Sequence, residues 1–156
     1  MVRPSRSAEV LKALAGKRLA TAESLTGGGI GQAITSVSGA SAVFAGGILS
    51  YTNEVKNQVL GVPMEKLNTC GAVSAPVATA MAEGARRVIG ADVAVAVTGL
   101  AGPAGDEFGN PVGTVFVGYA DAQTALAREY HFSGDRARVR EQTIEAALAL
   151  ILERNP

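Results

Sequence analysis

The segment TAESLTGGGIGQAI (residues 21–34) places a serine, Ser24, three residues ahead of three consecutive glycines, Gly27, Gly28 and Gly29, with a helical apolar pattern behind them. Glycines where a strand turns into a helix let a ligand approach the backbone closely. The free N–H groups of a first helical turn and the helix dipole favour an anion or a developing oxyanion there. Ser24 or Thr26 is equally suited to be an N-cap, a role that contributes about 1 kcal/mol. A cap alone does not call for three glycines, which weaken helix propensity. The segment lacks the Gly-Lys-Ser/Thr ending of a P-loop and the glycine order of a dinucleotide fingerprint. Two uses stay open: a cradle for an anion, or a hydroxyl that attacks.

An attacking serine needs a base. The single histidine, His131, alternates within the strand-like REYHFSG and reads as an edge or partly buried structural residue. Of the four lysines, Lys12, Lys17, Lys56 and Lys66, the first two lie in or just after an amphipathic first helix and read as solvated. Lys56 follows the strand that ends at Tyr51 by one helical turn. It either leans over the sheet end, where burial would depress its pKa, or stays solvated beside Glu54.

Thr98 closes the buried strand ADVAVAVTG and Gly99 follows at once, a placement that serves substrate or oxyanion binding, or a simple turn. The loop from Gly99 to Thr114 holds five glycines and two prolines and is long for a mere connection. Its Asp106 and Glu107 read as solvated turn residues, and no metal is assigned. Arg136 falls in the first turn of the last helix, against the macrodipole. It is there for an anion, or as a surface partner of Glu141 or Asp135. Arg138 and Arg140 read as exposed helix surface.

The elements that must position these residues alternate in period. The spacing predicts a helix with Val10, Leu11 and Leu14 ending at Gly16, a strand over RLATAES, and a helix from Ser24 to about Ser38 carrying Ile30, Ala33, Ile34 and Val37. A strand over Ala42–Tyr51, a short helix over Thr52–Gly61 and a turn around Pro63 come next. SAPVATAMAEGARRVIG reads as a helix with Val77, Met81, Ala85 and Val88 inward. Then come the strand ending at Thr98, a hairpin of TVFVGYADA and ALAREYHFSG, and a helix from Asp135 to about Glu153 with Val139, Thr143, Ala147 and Ile151 on one face. Alternating strands and helices predict an α/β fold, one mixed, mostly parallel sheet with helices on both faces. Ser24, Tyr51, Thr98 and Arg136 all fall where strands end or helices begin, the edge at which such sheets collect their sites.

Composition bounds the rest. The 156 residues suit one domain, 47% are hydrophobic and 18% charged, and the 14 basic and 14 acidic residues cancel. No global field recruits nucleic acid or an anionic membrane. The single cysteine, Cys70, excludes an intrachain disulfide and a multi-cysteine zinc site. The N-terminal stretch lacks the apolar core of a secretory leader, and no run is long enough to span a bilayer. A cytoplasmic domain with no cofactor is expected, its core built from small aliphatics because aromatics are only 4%.

The segments AESLTGG, GGILSYTNEVKNQVLGV, GAVSAPVATAMAEGA, VAVTGLAGPAGD, NPVGTVFVG and FSGDR occur in an order and spacing that resemble the CinA C-terminal family, over nearly the whole chain. That family includes stand-alone nicotinamide-nucleotide amidases. The resemblance implies a three-layer α/β/α sandwich over residues 1–156, without the molybdopterin-binding-like domain of longer members, and assembly as a homodimer. It implies hydrolysis of the carboxamide of nicotinamide mononucleotide to nicotinic acid mononucleotide and ammonia, in pyridine nucleotide recycling. Ser24 matches the family's nucleophile and Lys56 its base, while Tyr51, Thr98 and Arg136 match further active-site positions. On that reading the backbone near Thr26, Gly27 and Gly28 holds the oxyanion, and Arg136 with loop N–H groups around Gly99 holds the phosphate. Leu25 replaces the cysteine common in the family, and Thr98 replaces a serine. A nucleotide-binding module without turnover and a competence-related interaction module are the alternatives.

Overall fold

A computed structural model describes residues 5–156; residues 1–4, part of the stretch read above for a leader, lie outside the described residues. The elements run α1 (Arg6–Ala13), β1 (Leu19–Glu23), α2 (Gly29–Thr35), a 3-10 turn (Ala40–Ala42), β2 (Phe44–Leu49), α3 (Asn53–Gln58), α4 (Met64–Cys70), α5 (Ala75–Ile89), β3 (Val93–Gly99), β4 (Thr114–Ala120), β5 (Ala125–His131) and α6 (Arg136–Arg154). The five strands form one sheet in the order β2-β1-β3-β4-β5. β1 pairs in parallel with β2 and β3, whereas β3–β4 and β4–β5 are antiparallel. Four of the five strands therefore point the same way, although the neighbouring pairs divide evenly between the two kinds.

Alternation along β3 divides the core. Val93, Val95 and Val97 face α1, α2 and α6 together with Ile30, Ile34, Val139 and Ile151. Ala94 and Ala96 face the other layer with Val77, Met81 and Ala85 of α5. This is the three-layer sandwich expected from the alternating pattern. Each fully buried Ile or Leu contributes roughly 1.5–3 kcal/mol.

The α5 face is built for close approach. A Cβ at Gly118 of β4 would overlap the Ala78 carbonyl of α5, and one at Gly84 of α5 would overlap the Leu60 carbonyl. A chain poor in aromatics packs its helix almost on the backbone of the sheet.

Three elements depart from the sequence pattern. The first Gly-rich helix begins at Gly29 rather than Ser24, because Gly27 and Gly28 adopt left-handed φ of 58° and 100° and hold the preceding residues in a turn. The segment after Pro63 is the helix α4 rather than a turn, with Pro63 at its N-cap. Val88 is 52% exposed, because the last turn of α5 runs past the sheet.

The chain crosses from β1 to β2 through α2 on one face and from β2 to β3 through α3, α4 and α5 on the other. A switch point therefore lies between the ends of β1 and β3, the crevice where open α/β sheets bind ligands. Among the described residues no helix is long and apolar enough to cross a membrane. Replacing Gly118 by Ala should lower the unfolding free energy by roughly 2 kcal/mol, because the added methyl meets backbone that cannot rotate away; chemical denaturation of the two proteins measures this.

Candidate active site

Ser24 stands one residue beyond β1, its N–H donating to Val97 O of β3. Its hydroxyl is not the cap of α2. That role falls to Glu23, whose buried carboxylate accepts from Ile30 N at 2.9 Å and Gly31 N at 3.0 Å, and from Thr26 Oγ1 at 2.5 Å. Freed from capping, the Ser24 hydroxyl meets Lys56 Nζ at 3.2 Å.

Lys56 reaches it because Thr52 caps α3 directly after β2, its side chain accepting from Val55 N. The lysine is 1% exposed, and Glu54 is not its partner. Nζ donates to Ser50 O at 2.7 Å and to Tyr51 O at 3.2 Å, the carbonyls at the end of β2. No carboxylate among the described residues lies within ion-pair distance of it. Burial favours the uncharged amine and lowers its pKa from 10.5 to about 8. In the neutral form the two N–H bonds satisfy the two carbonyls, and the lone pair is left for the Ser24 hydroxyl.

The pair lines a cavity of about 640 Å³ beyond the strand ends, within the range of small-molecule sites. Thr98, Gly99, Tyr51 and Arg136 line it with Ser24 and Lys56. Thr98 donates its hydroxyl hydrogen to Ala72 O at 2.8 Å, tying the α4–α5 linker to the end of β3. Gly99 is required by the sheet itself, since a Cβ there would come within 2.7 Å of Val115 and 2.9 Å of Thr114 O. Arg136 donates from Nη1 to Gly102 O at 2.7 Å, and its Nη2 lies 3.5 Å from the hydroxyl of Tyr51, a ring 64% exposed.

Thr26, Gly27 and Gly28 do not line the cavity. Thr26 is fully buried with its hydroxyl turned to Glu23. Gly27 N donates to Ser24 O, and Gly28 supplies a backbone conformation. Gly29 answers to packing, because a Cβ there would come within 2.6 Å of Ile144 Cδ1 on α6. Among the described residues no acceptor meets the N–H of Leu25 or Thr26.

The long loop is anchored rather than loose. Asp106 accepts from Phe108 N at 3.1 Å and from Asn110 N and Nδ2 at 2.9 and 2.8 Å. Phe108 closes over Gly71 and lines the cavity. Asp106, half-buried, is thus the turn residue that organises the loop.

Two residues at the site are given no functional part by the sequence. Glu23 ends a fully buried strand ahead of a helix N-terminus, a signal for a capping acid. Arg140 is not exposed surface: it donates from Nε to Leu25 O at 3.0 Å and from Nη2 to Thr26 O at 3.2 Å. Its spacing of four from Arg136 puts both on one face of α6. His131 stays outside the site, pairing with Glu129 at 2.6 Å on the exposed side of β5.

An α/β/α sandwich with a buried serine–lysine pair at the switch point of its sheet is the class that this geometry defines. Residues 5–154 match the CinA C-terminal domain, and the chain belongs to that family. It is 50% identical over 135 residues to a CinA-like protein of Geobacter metallireducens, covering 86% of this chain and 32% of that protein. A CinA-like protein of Anaeromyxobacter dehalogenans is 51% identical over 138 residues, 87% of this chain and 33% of its own. The chain thus spans about a third of the length of the curated relatives it matches. Among solved structures, competence damage-inducible protein A from Klebsiella pneumoniae superposes with a TM-score of 0.93 at 36% identity, over 96% of this chain and 94% of that one. A competence/damage inducible protein from Agrobacterium tumefaciens gives 0.90 at 36% identity, over 100% and 99%.

Below about pH 8 the folded protein carries a buried ammonium without a counter-ion, which favours unfolding until the pH approaches the unfolded value of 10.5. Lys56→Met keeps the apolar stem and removes that penalty. At pH 7 the variant should melt at or above the parent, and its advantage should shrink between pH 8 and 10.5; thermal unfolding across that range measures both.

Proposed function

We propose that this domain hydrolyses the carboxamide of nicotinamide mononucleotide to nicotinic acid mononucleotide and ammonia through a Ser24–Lys56 dyad. The observation that carries the reading is the contact between the Lys56 amine and the Ser24 hydroxyl, 3.2 Å long and buried, with the amine's other bonds taken by Ser50 O and Tyr51 O. A hydroxyl becomes an effective nucleophile only beside a base of matched pKa, and a lysine near 8 is one. The nature of the amide follows from the family resemblance; the size of the cavity and a guanidinium at its rim are compatible with a nucleotide.

In this mechanism Lys56 takes the Ser24 proton as Oγ bonds to the amide carbon. The tetrahedral intermediate places its oxyanion at the backbone N–H of Leu25, the donor that follows the nucleophile directly and belongs to a residue lining the cavity. Lys56 returns the proton to the nitrogen, the C–N bond breaks and ammonia leaves an ester on Ser24. Water attacks that ester with Lys56 again as base, releasing the carboxylate and the serine. Arg136 pairs with the phosphate, while Thr98 and the Tyr51 ring shape the amide end. No cofactor enters any step. The cytoplasm, where pyridine nucleotides are recycled, is the compartment this activity calls for, and a homodimer is the assembly that the family resemblance implies.

Ammonia release from nicotinamide mononucleotide tests the reading. Ser24→Ala and Lys56→Ala should each lower it by at least about 10³-fold. The parent's kcat/KM should rise with pH through about 8, where Lys56 loses its proton, and then level off. Tight nucleotide binding without turnover in the parent would instead make the site a binding module.

A further inference from the structure

The turn that carries Ser24 is gripped from two sides by opposite charges that do not touch each other. On one side the Glu23 carboxylate collects donors: the Thr26 hydroxyl and the first N–H groups of α2. On the other, the Arg140 guanidinium collects acceptors, the carbonyls of Leu25 and Thr26. These carbonyls belong to consecutive peptide units. The Leu25 carbonyl shares its planar trans unit with the Thr26 N–H, so the two point in opposite directions. Holding that carbonyl with Nε therefore fixes the Leu25 backbone, whose own N–H belongs to the unit joined to Ser24. The second unit is fixed at both ends, with Thr26 O on Arg140 and Gly27 N on Ser24 O at 3.2 Å.

Resting on the amidase reading above, we propose that Arg140 is a positioning residue for the oxyanion site: its fork clamps the carbonyls of Leu25 and Thr26 and thereby fixes the turn that presents the Leu25 N–H to the cavity. The guanidinium never touches substrate. Its contribution appears when charge develops on the amide oxygen, because the placement of the Leu25 donor counts only then. Bidentate geometry is essential, since a lysine at the same place offers a single donor atom that cannot bridge both carbonyls. α6 gives the clamp its precision. The same helix face presents Arg136 to Gly102 O at 2.7 Å one turn earlier, so one rigid rod sets the nucleophile turn and the facing loop together.

The test uses two readouts on the intact protein: steady-state hydrolysis of nicotinamide mononucleotide, and the rate at which a fluorophosphonate probe modifies Ser24. The second needs the oxyanion donors but not the nucleotide. Arg140→Met should lower both kcat and the labelling rate by roughly 10- to 100-fold, the scale of a misaligned oxyanion donor. KM should stay within about threefold, because ground-state binding does not use the donor. Arg140→Lys, which keeps charge and stem, should recover only a minor part of either rate. Arg138→Met, an exposed change on the same helix, should match the parent. Labelling of Arg140→Met or Arg140→Lys at the parent's rate overturns the proposal whether or not the parent hydrolyses the nucleotide, as does a parent whose Ser24 resists the probe. Slowed labelling in both Arg140 variants, with a parent that does not release ammonia, upholds the clamp and removes the substrate assignment alone.

Discussion

A lysine amine held in a dry site without a counter-ion is the constraint on which the site depends. Burial of an ammonium is costly, and an unpaired one is tolerated only where the charge can be shed or its protons find acceptors. Lys56 meets both conditions. Its pKa falls to about 8, and the carbonyls of Ser50 and Tyr51 take its N–H groups. A carboxylate in their place would hold the proton on nitrogen. Neutral carbonyl partners orient the amine and stabilise its charge far less than a carboxylate would, so at its lowered pKa the lone pair is available to Ser24.

Each neighbouring element contributes by leaving Ser24 and Lys56 undisturbed. Glu23 takes the capping of α2, which would otherwise claim the serine hydroxyl. Thr98 ties the α4–α5 linker to β3 through Ala72 O, and Asp106 gathers the long loop over the opening. The three parallel strands end together, so the β1–α2 turn, the β2–α3 junction and the β3–β4 loop open at one edge of the sheet. The start of α6 reaches the same edge because β5 runs in the same direction as β3. The close packing of α5 on glycine and alanine keeps that layer thin.

Family membership and geometry bear on different questions. The relatives carry names that refer to competence and damage induction, which describe those proteins. Function in this chain is argued from the serine, the lysine and their surroundings, since a fold hosts many chemistries and the site decides among them.

Much of the architecture was legible in the sequence. Apolar runs and helical spacing marked every strand and five of the six helices among the described residues, and Ser24, Tyr51, Thr98 and Arg136 stood where those elements meet, the edge at which sheets of this kind gather ligands. Lys56 was also in view, but local sequence could not separate a buried amine from a solvated one beside Glu54. That choice depended on where the end of β2 lies relative to α3, which only the packed structure decides. The glycines were read as room for a ligand. In the structure two of them serve left-handed turns and a third serves the contact of α2 with Ile144, because steric demand at a residue comes from neighbours distant in the chain. Arg140 is the clearest case. It lies more than a hundred residues from Leu25 and Thr26, and nothing in local pattern joins them. What the sequence by itself determined was which residues stood at the sheet's working edge; the tertiary structure alone decided which of them were buried, which touched, and therefore which amine could act as a base.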